Sequence, residues 1–248
     1  MVRKTESVSD LLDLERPPED TPLRSPRVES YSWETFKTTT RKTANLIAGL
    51  GVRRGHSVSF SPANQPESVF FFLGASLLGA EVTAGLDDDV SPELVFGPTP
   101  TVERLGLGTR GISYGEKPDD PRLTHYEREI WGESPLFPPD RTSSPEDVVL
   151  VDGSDEYRQS QLFEAAETVA DEAGIHDYDE AVVGSVSEPR DIVAGVLAPL
   201  VAETTVTLRG DASRGTDTDT DADTDSDAVL LRRGDTQKTL RVGSVSIK

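Results

Sequence analysis

The sequence predicts an α/β protein with layered, parallel-type sheets and flanking helices. Three observations carry this expectation. Segments of helical and strand periodicity alternate from residue 32 onward, in the order helix, strand, helix, strand. Glycine, proline and asparagine stand where the connecting turns are needed. The longest apolar run, residues 69–80 (VFFFLGASLLGA), is too short to cross a bilayer as a helix and suits a buried core helix.

Residues 1–30 are polar and carry Pro17, Pro18, Pro22 and Pro26, so they are expected to lie loose or wrapped over the surface. Ser32 caps a predicted helix. Its apolar or small positions are Trp33, Phe36, Thr40, Thr43, Ala44, Ile47 and Leu50, and Gly51 supplies a left-handed stop. In HSVSF, Val58 and Phe60 alternate with serines, as in a half-buried strand. Pro62, Asn64 and Pro66 turn the chain, and Pro66 suits the first position of a helix reaching Leu78. Val82 marks the next strand, and ELVFG (93–97) and GISYG (111–115) mark two more. Residues 31–115 thus form an expected first lobe.

Residues 116–146 carry Pro118, Pro121, Pro135, Pro138, Pro139 and Pro145 around one short helix over 124–131, which predicts a linker. A second lobe is expected over 147–248. It opens with the strand DVVLVDG (147–153) and continues with a helix over 157–173 and a strand over 180–186. A helix over 191–201 and the strand TTVTL (204–208) follow. DAVLLRR (227–233) and TLRVGSVSI (239–247) alternate like a hairpin around Gly234-Asp235. Between them, residues 211–227 place six Asp at alternate positions from Asp217 to Asp227. A calcium loop of the EF-hand type needs a Gly and a bidentate Glu that this stretch lacks, so it reads as a disordered acidic insertion.

Charge narrows the function further. Lys and Arg total 25 against 45 Asp and Glu, a formal net charge of −20. Nucleic acid and anionic membrane surfaces are therefore unexpected partners. The absence of cysteine excludes disulfides, thiolate nucleophiles and Cys-ligated metal centres. The acids are 24 Asp and 21 Glu, and the cations are 19 Arg and only 6 Lys. Such a surface hydrates strongly, and at about 1 M salt, where the Debye length is about 3 Å, its self-repulsion is screened. The composition, together with an N-terminus lacking an apolar signal core, predicts a salt-adapted cytoplasmic protein.

Individual motifs are weak. GLGTRG (106–111) matches G-x-G-x-x-G formally, but a strand pattern follows it where a dinucleotide site needs a helix. His56, His125 and His176 are scattered, and no metal site is expected from them. Asp87-Asp88-Asp89 reads as a solvated turn. Ser154 in DGSDE has no histidine placed to make a triad.

A longer pattern carries more. Tyr31-Ser32-Trp33-Glu34-Thr35-Phe36, then LIAGLGVRRGHSVSF, then SPANQPESVFFFLGASLLGAEV succeed one another in order. Together they resemble the opening of the adenylate-forming (AMP-binding) acyl-CoA/acetyl-CoA synthetase family. That family's segments are Y-S/T-aromatic-x-x-aromatic, L-x-x-x-GV-x-x-GD-x-V and P-N-x-P-E. His56 stands where the family has Asp. PEDVVLVDGSDEYRQSQL resembles the strand that enters the family's phosphate loop, and DIVAGVLAPLVAETTVTL resembles the helix and strand after its P-L-F-H motif. The resemblance spans about residues 31–208, the N-terminal half of a family member, and implies that half's fold.

The departures shape the functional expectation. The family's phosphate loop, T-S-G-T-T-G-x-P-K-G, holds ATP phosphates with hydroxyls, glycine amides and a lysine. At that position stand Asp152, Gly153, Ser154, Asp155, Glu156, Tyr157 and Arg158. Only Gly153 and Ser154 echo the pattern, so Asp152-Gly153-Ser154 marks a degenerate cofactor-binding position. VSEPR (186–190) replaces P-L-F-H. No catalytic residue and no cofactor carry over. The expectation is a non-catalytic synthetase-like protein acting as a binding or partner subunit, for instance of a related synthetase. The alternatives are an active ligase half completed by another chain and a sensor of acyl or nucleotide molecules.

Overall fold

The computed structural model describes residues 4–26, 30–86, 91–105, 110–209 and 228–247. The Asp-rich repeat, Asp87-Asp88-Asp89 and residues 106–109 lie outside the described residues. In chain order the elements are α1 (Val8–Leu12), β1 (Leu23–Arg24), α2 (Trp33–Gly49), β2 (Ser57–Phe60), α3 (Pro66–Leu78), β3 (Glu81–Ala84), β4 (Leu94–Pro98), α4 (Thr99–Arg104), β5 (Arg110–Tyr114), β6 (Leu123–His125) and α5 (Tyr126–Glu129). Then come β7 (Val148–Asp152), β8 (Asp155–Arg158), α6 (Gln159–Ala173), β9 (Glu180–Val183), α7 (Pro189–Asp191), the π-helical residues Ile192–Leu197, α8 (Ala198–Val201), β10 (Thr205–Leu208), β11 (Ala228–Arg233) and β12 (Thr236–Arg241).

The chain divides into two units. The first comprises Met1–Leu14, Thr35–Pro62 and Glu67–Ser160. Its sheet has the order β6-β5-β4-β2-β3-β7-β8, and every neighbouring pair is parallel except β7–β8. The run 69–80 is buried throughout, as a core helix and its exit turn require. Phe71 stacks on Phe96 with centroids 4.3 Å apart, and Tyr126 meets Phe96 edge-on at 5.8 Å. The Tyr126 hydroxyl is 2.8 Å from Thr43 Oγ1, which ties α5 to α2. Gly51, at φ +97°, ends α2 as its sequence predicts.

The second unit comprises Glu15–Glu34, Ala63–Pro66 and Gln161–Lys248. Its sheet has the order β1-β10-β9-β11-β12, with β1, β10 and β9 parallel and the β11–β12 hairpin antiparallel. Gly195 approaches Val183 so closely that a Cβ there would sit 2.8 Å from Val183 Cγ1. The small residue in the π-helical stretch thus lets it lie on β9. Arg16 is buried, with its guanidinium 5.0 Å from the Trp33 ring centroid and its Nη2 donating to the Glu203 carbonyl. Burial lowers the Arg16 pKa.

Three expectations need correction. Of residues 1–30, expected to lie loose or wrapped over the surface, the described ones include a buried helix and a sheet strand. Val8, Leu11 and Leu12 are buried at helical spacing under a Ser7 cap, and Leu23–Arg24 pairs with Val206 and Thr207. Residues 116–146 are no linker, because Leu123 pairs with Gly111 and Tyr126 is buried among the aromatics. The strand expected to open a second lobe joins the first unit's sheet, Val82 pairing with Leu150. The first unit therefore continues through Ser160.

Candidate functional site

Asp152-Gly153-Ser154, the position expected to correspond to a phosphate loop, is the tip of a β-hairpin. Strand β7 forms because Val148–Val151 is apolar and mostly β-branched, and Val149 and Leu150 are buried. Asp155–Arg158, of which Tyr157 and Arg158 are expected to begin a helix, instead returns antiparallel, with Asp152 opposite Asp155, Val151 opposite Glu156 and Leu150 opposite Tyr157. Gly153 and Ser154 alone make the turn. Gly153 has φ +59° and Ser154 does not have a positive φ, the pattern of a type II′ turn with glycine first.

A two-residue connection leaves little to bind with. It brings two backbone N–H groups and one hydroxyl. Around them stand three exposed carboxylates, Asp152, Asp155 and Glu156. Arg158, the nearest cation in sequence, lies 3.4 Å from Glu146. Directly opposed like charges weaken a strand pair. The same acids repel phosphate oxygens, by about 1 kcal/mol per charge pair at 4 Å in water and about 4 kcal/mol near a protein surface.

The hairpin's base is fixed by residues that sequence reasoning missed. Gln159 is fully buried, and its amide donates to Ser143 Oγ at 2.7 Å and to the Ser144 carbonyl at 3.0 Å. Ser143 Oγ donates in turn to the Ser76 carbonyl at 2.7 Å. Asp147 accepts from the Ser144 N–H at 2.8 Å and faces Arg54 at 3.3 Å. A polar side chain after a run of polar residues gives no sequence signal for such burial.

The VSEPR segment, in the second unit, makes a different polar knot. The Asp191 carboxylate accepts from Ser185 Oγ at 2.7 Å, the Ser187 N–H at 3.0 Å and the Glu188 N–H at 3.1 Å. Glu188 and Asp191 form a capping box at the start of α7. These hydrogen-bond groups serve the helix start. Asn64, from the P-A-N-Q-P-E run, also has a structural task. Its amide donates to the carbonyls of Val183 at 2.9 Å and Arg209 at 2.7 Å, bridging the ends of β9 and β10.

His125 Nε2 is 3.1 Å from Glu127, and His176 Nε2 is 3.4 Å from Asp171. Among the described residues, no three His, Asp or Glu side chains converge to hold a metal. Of the G-x-G-x-x-G match, Arg110 and Gly111 open strand β5, where a dinucleotide site would place a helix. No described helix is long and apolar enough to cross a membrane.

No family model matches the chain. Over 56 residues, 22% of the chain and 10% of the relative, it is 48% identical to a 4-coumarate-CoA ligase from Narcissus pseudonarcissus. Among solved structures, an anthranilate CoA ligase in complex with anthranoyl-AMP superposes with a TM-score of 0.70 at 15% identity, over 84% of this chain and 45% of that one. A benzoate CoA ligase from Burkholderia xenovorans gives 0.70 at 16% identity, over 82% and 45%. An acyl-CoA synthetase from Brucella canis gives 0.66 at 16% identity, over 82% and 42%. The chain therefore spans under half the length of these structures. At such identities the superpositions establish architecture, and the described fold is that of the N-terminal part of the adenylate-forming acyl- and aryl-CoA ligases.

Proposed function

We propose that the chain is a non-catalytic, acyl-CoA ligase-like protein that works as a binding or partner subunit, for instance beside a related synthetase. One observation carries the reading: the position resembling the phosphate loop is a two-residue turn flanked by Asp152 and Asp155. Phosphoryl transfer from ATP depends on groups that position and neutralise the phosphates. Here the turn supplies repulsion and too few donors. The Asp-rich, Lys-poor composition supports a salt-adapted protein of the cytoplasm as its setting.

Pyrophosphate exchange with ATP, Mg²⁺ and a panel of short and long carboxylic acids in molar KCl tests this. The expected rate equals that of the no-protein control. Exchange above the control that disappears on mutating Gly153 or Ser154 would make the chain a working ligase half. A thermal shift with ATP, AMP, CoA or acyl-CoA, without exchange, would favour a sensor.

A further inference from the structure

Arg16 is the only buried cation among the described residues. Its guanidinium, in the second unit, is touched from three sides. Nη2 donates to the Glu203 carbonyl at 3.1 Å, the Trp33 ring centroid lies 5.0 Å away, and Nε is 3.6 Å from Asp20 Oδ2, too far for a hydrogen bond. Nε and Nη1 find no acceptor among the described residues, and neither atom touches solvent. Burial lowers the Arg16 pKa although the charges of Glu203 and Asp20 oppose that shift. The cation is therefore less stable in this position than it would be in water.

Strain meets Arg16 at its one hydrogen bond. Glu203 has φ +59° and is the only non-glycine residue with positive φ among the described residues. A side chain with a Cβ disfavours that conformation, and such outliers gather where a structure switches.

The segment that carries Arg16 is lightly anchored. Residues 15–25 contain a single large apolar side chain, Leu23. Pro17, Pro18 and Pro22 have no backbone N–H to donate. Strand β1 is two residues long and lies at the end of its sheet, against β10. The segment is held largely by accepting hydrogen bonds. The Thr21 carbonyl accepts from Thr205 Oγ1 at 2.7 Å, and the Pro22 carbonyl accepts from the Val206 N–H at 2.9 Å. The Asp20 and Pro18 carbonyls accept from the Trp33 and Glu34 N–H groups at 2.6 and 3.2 Å.

We propose that residues 15–25 form a strap that detaches as one unit from the rest of the second unit, with Arg16 as its strained latch. Opening hydrates the two sealed donors of the guanidinium, so it requires less free energy than global unfolding. It uncovers the Trp33 indole, and it bares the edge of β10 that β1 covers. The fold thus contains a sheet edge that is closed at rest and available on demand. The inference is independent of the ligase-like reading and stands if that reading fails.

Native-state hydrogen exchange, followed by NMR on the full chain in 2 M KCl, tests it. The Trp33, Glu34 and Val206 N–H groups should share one protection factor within threefold. That factor should lie at least tenfold below those of Ala181, Val182 and Val183 in β9, which has a strand on either side. Arg16→Met keeps an aliphatic stem against Trp33 and removes the charge, and it should raise the strap's protection at least fivefold. A strut would respond with the opposite sign, because losing it would loosen the strap. Exchange of the three N–H groups at the β9 level in the wild type overturns the proposal, as does exchange at three unrelated rates. Unchanged or lower protection in Arg16→Met, or failure of that variant to fold, overturns the role given to Arg16.

Discussion

The side-chain oxygen of Gln159 accepts the Val8 backbone N–H at 3.0 Å, although 151 positions of sequence separate them. The same amide donates to Ser143 Oγ and the Ser144 carbonyl. One buried side chain therefore joins the first helix to the base of the hairpin that carries the candidate site. Replacing Gln159 by Leu removes these bonds and strands at least one buried donor, which costs about 1–3 kcal/mol per group. Guanidinium denaturation in molar KCl should show a loss of about 2 kcal/mol or more. A midpoint within error of the wild type would show that the network contributes nothing.

Gly153→Ala and Asp155→Asn should separate turn geometry from charge. Alanine at φ +59° is strained, so the first variant should lose about 1–2 kcal/mol at every salt concentration. The second relieves the carboxylate pair across the turn and should gain a few tenths of a kcal/mol at 0.2 M KCl. That gain should vanish in 3 M KCl, where exposed charges are screened. Paired melts at the two salt concentrations measure both effects, and a gain that survives in 3 M KCl contradicts a charge origin.

Folding itself should depend on salt. A chain of −20 with 24 Asp against 6 Lys gains compactness when its self-repulsion is screened. Circular dichroism between 3 M and 0.1 M KCl should show loss of helical signal and of melting temperature toward the low end. An unchanged melting temperature at 0.1 M would remove the salt-adapted reading.

Asp120 offers a pH prediction with a defined sign. Hydrogen bonds from the Arg122 side chain, at 2.6 and 3.0 Å, pull the Asp120 pKa from 3.8 down to about 2. A carboxylate depressed by folding stabilises the protein above its ordinary pKa and loses that contribution as the pH falls through the folded value. The window here is about pH 4 down to about pH 2. Carbon-detected NMR of the carboxyl group should give a midpoint near 2, and Arg122→Gln should raise it toward the ordinary value without reaching it, because the residue 122 N–H still donates to Asp120. A wild-type midpoint near 4 would show that the pair does not persist in solution.

Much of the fold was legible because its signals are local and repeated. Helical spacing from Trp33, the stop at Gly51, Pro66 at a helix start and the strand at Val58 and Phe60 each appear where the residues suggest. Helix α1 was not legible. Five residues cannot form a stable helix alone, and Val8, Leu11 and Leu12 become helical by burying one face. Strand β8 was equally hidden, because all of Asp155–Arg158 but the half-buried Tyr157 is charged and exposed at a sheet edge, where backbone pairing and not burial decides the conformation. The position of the candidate site was readable in Asp152-Gly153-Ser154. Its shape was not, because that depended on whether Tyr157 begins a helix or completes a hairpin.

The two-residue turn also limits how this site could change. Substitutions alter what a residue offers, and none of them lengthens the connection between Asp152 and Asp155, which pair directly across it. A chain diverging from this one could exchange all three carboxylates for glycines and a lysine and still present only Gly153 and Ser154 between the strands. Any path toward a phosphate cradle at this position therefore runs through an insertion. An engineer seeking nucleotide binding here would graft length before chemistry, and the register of β7 against β8 marks where the graft must open.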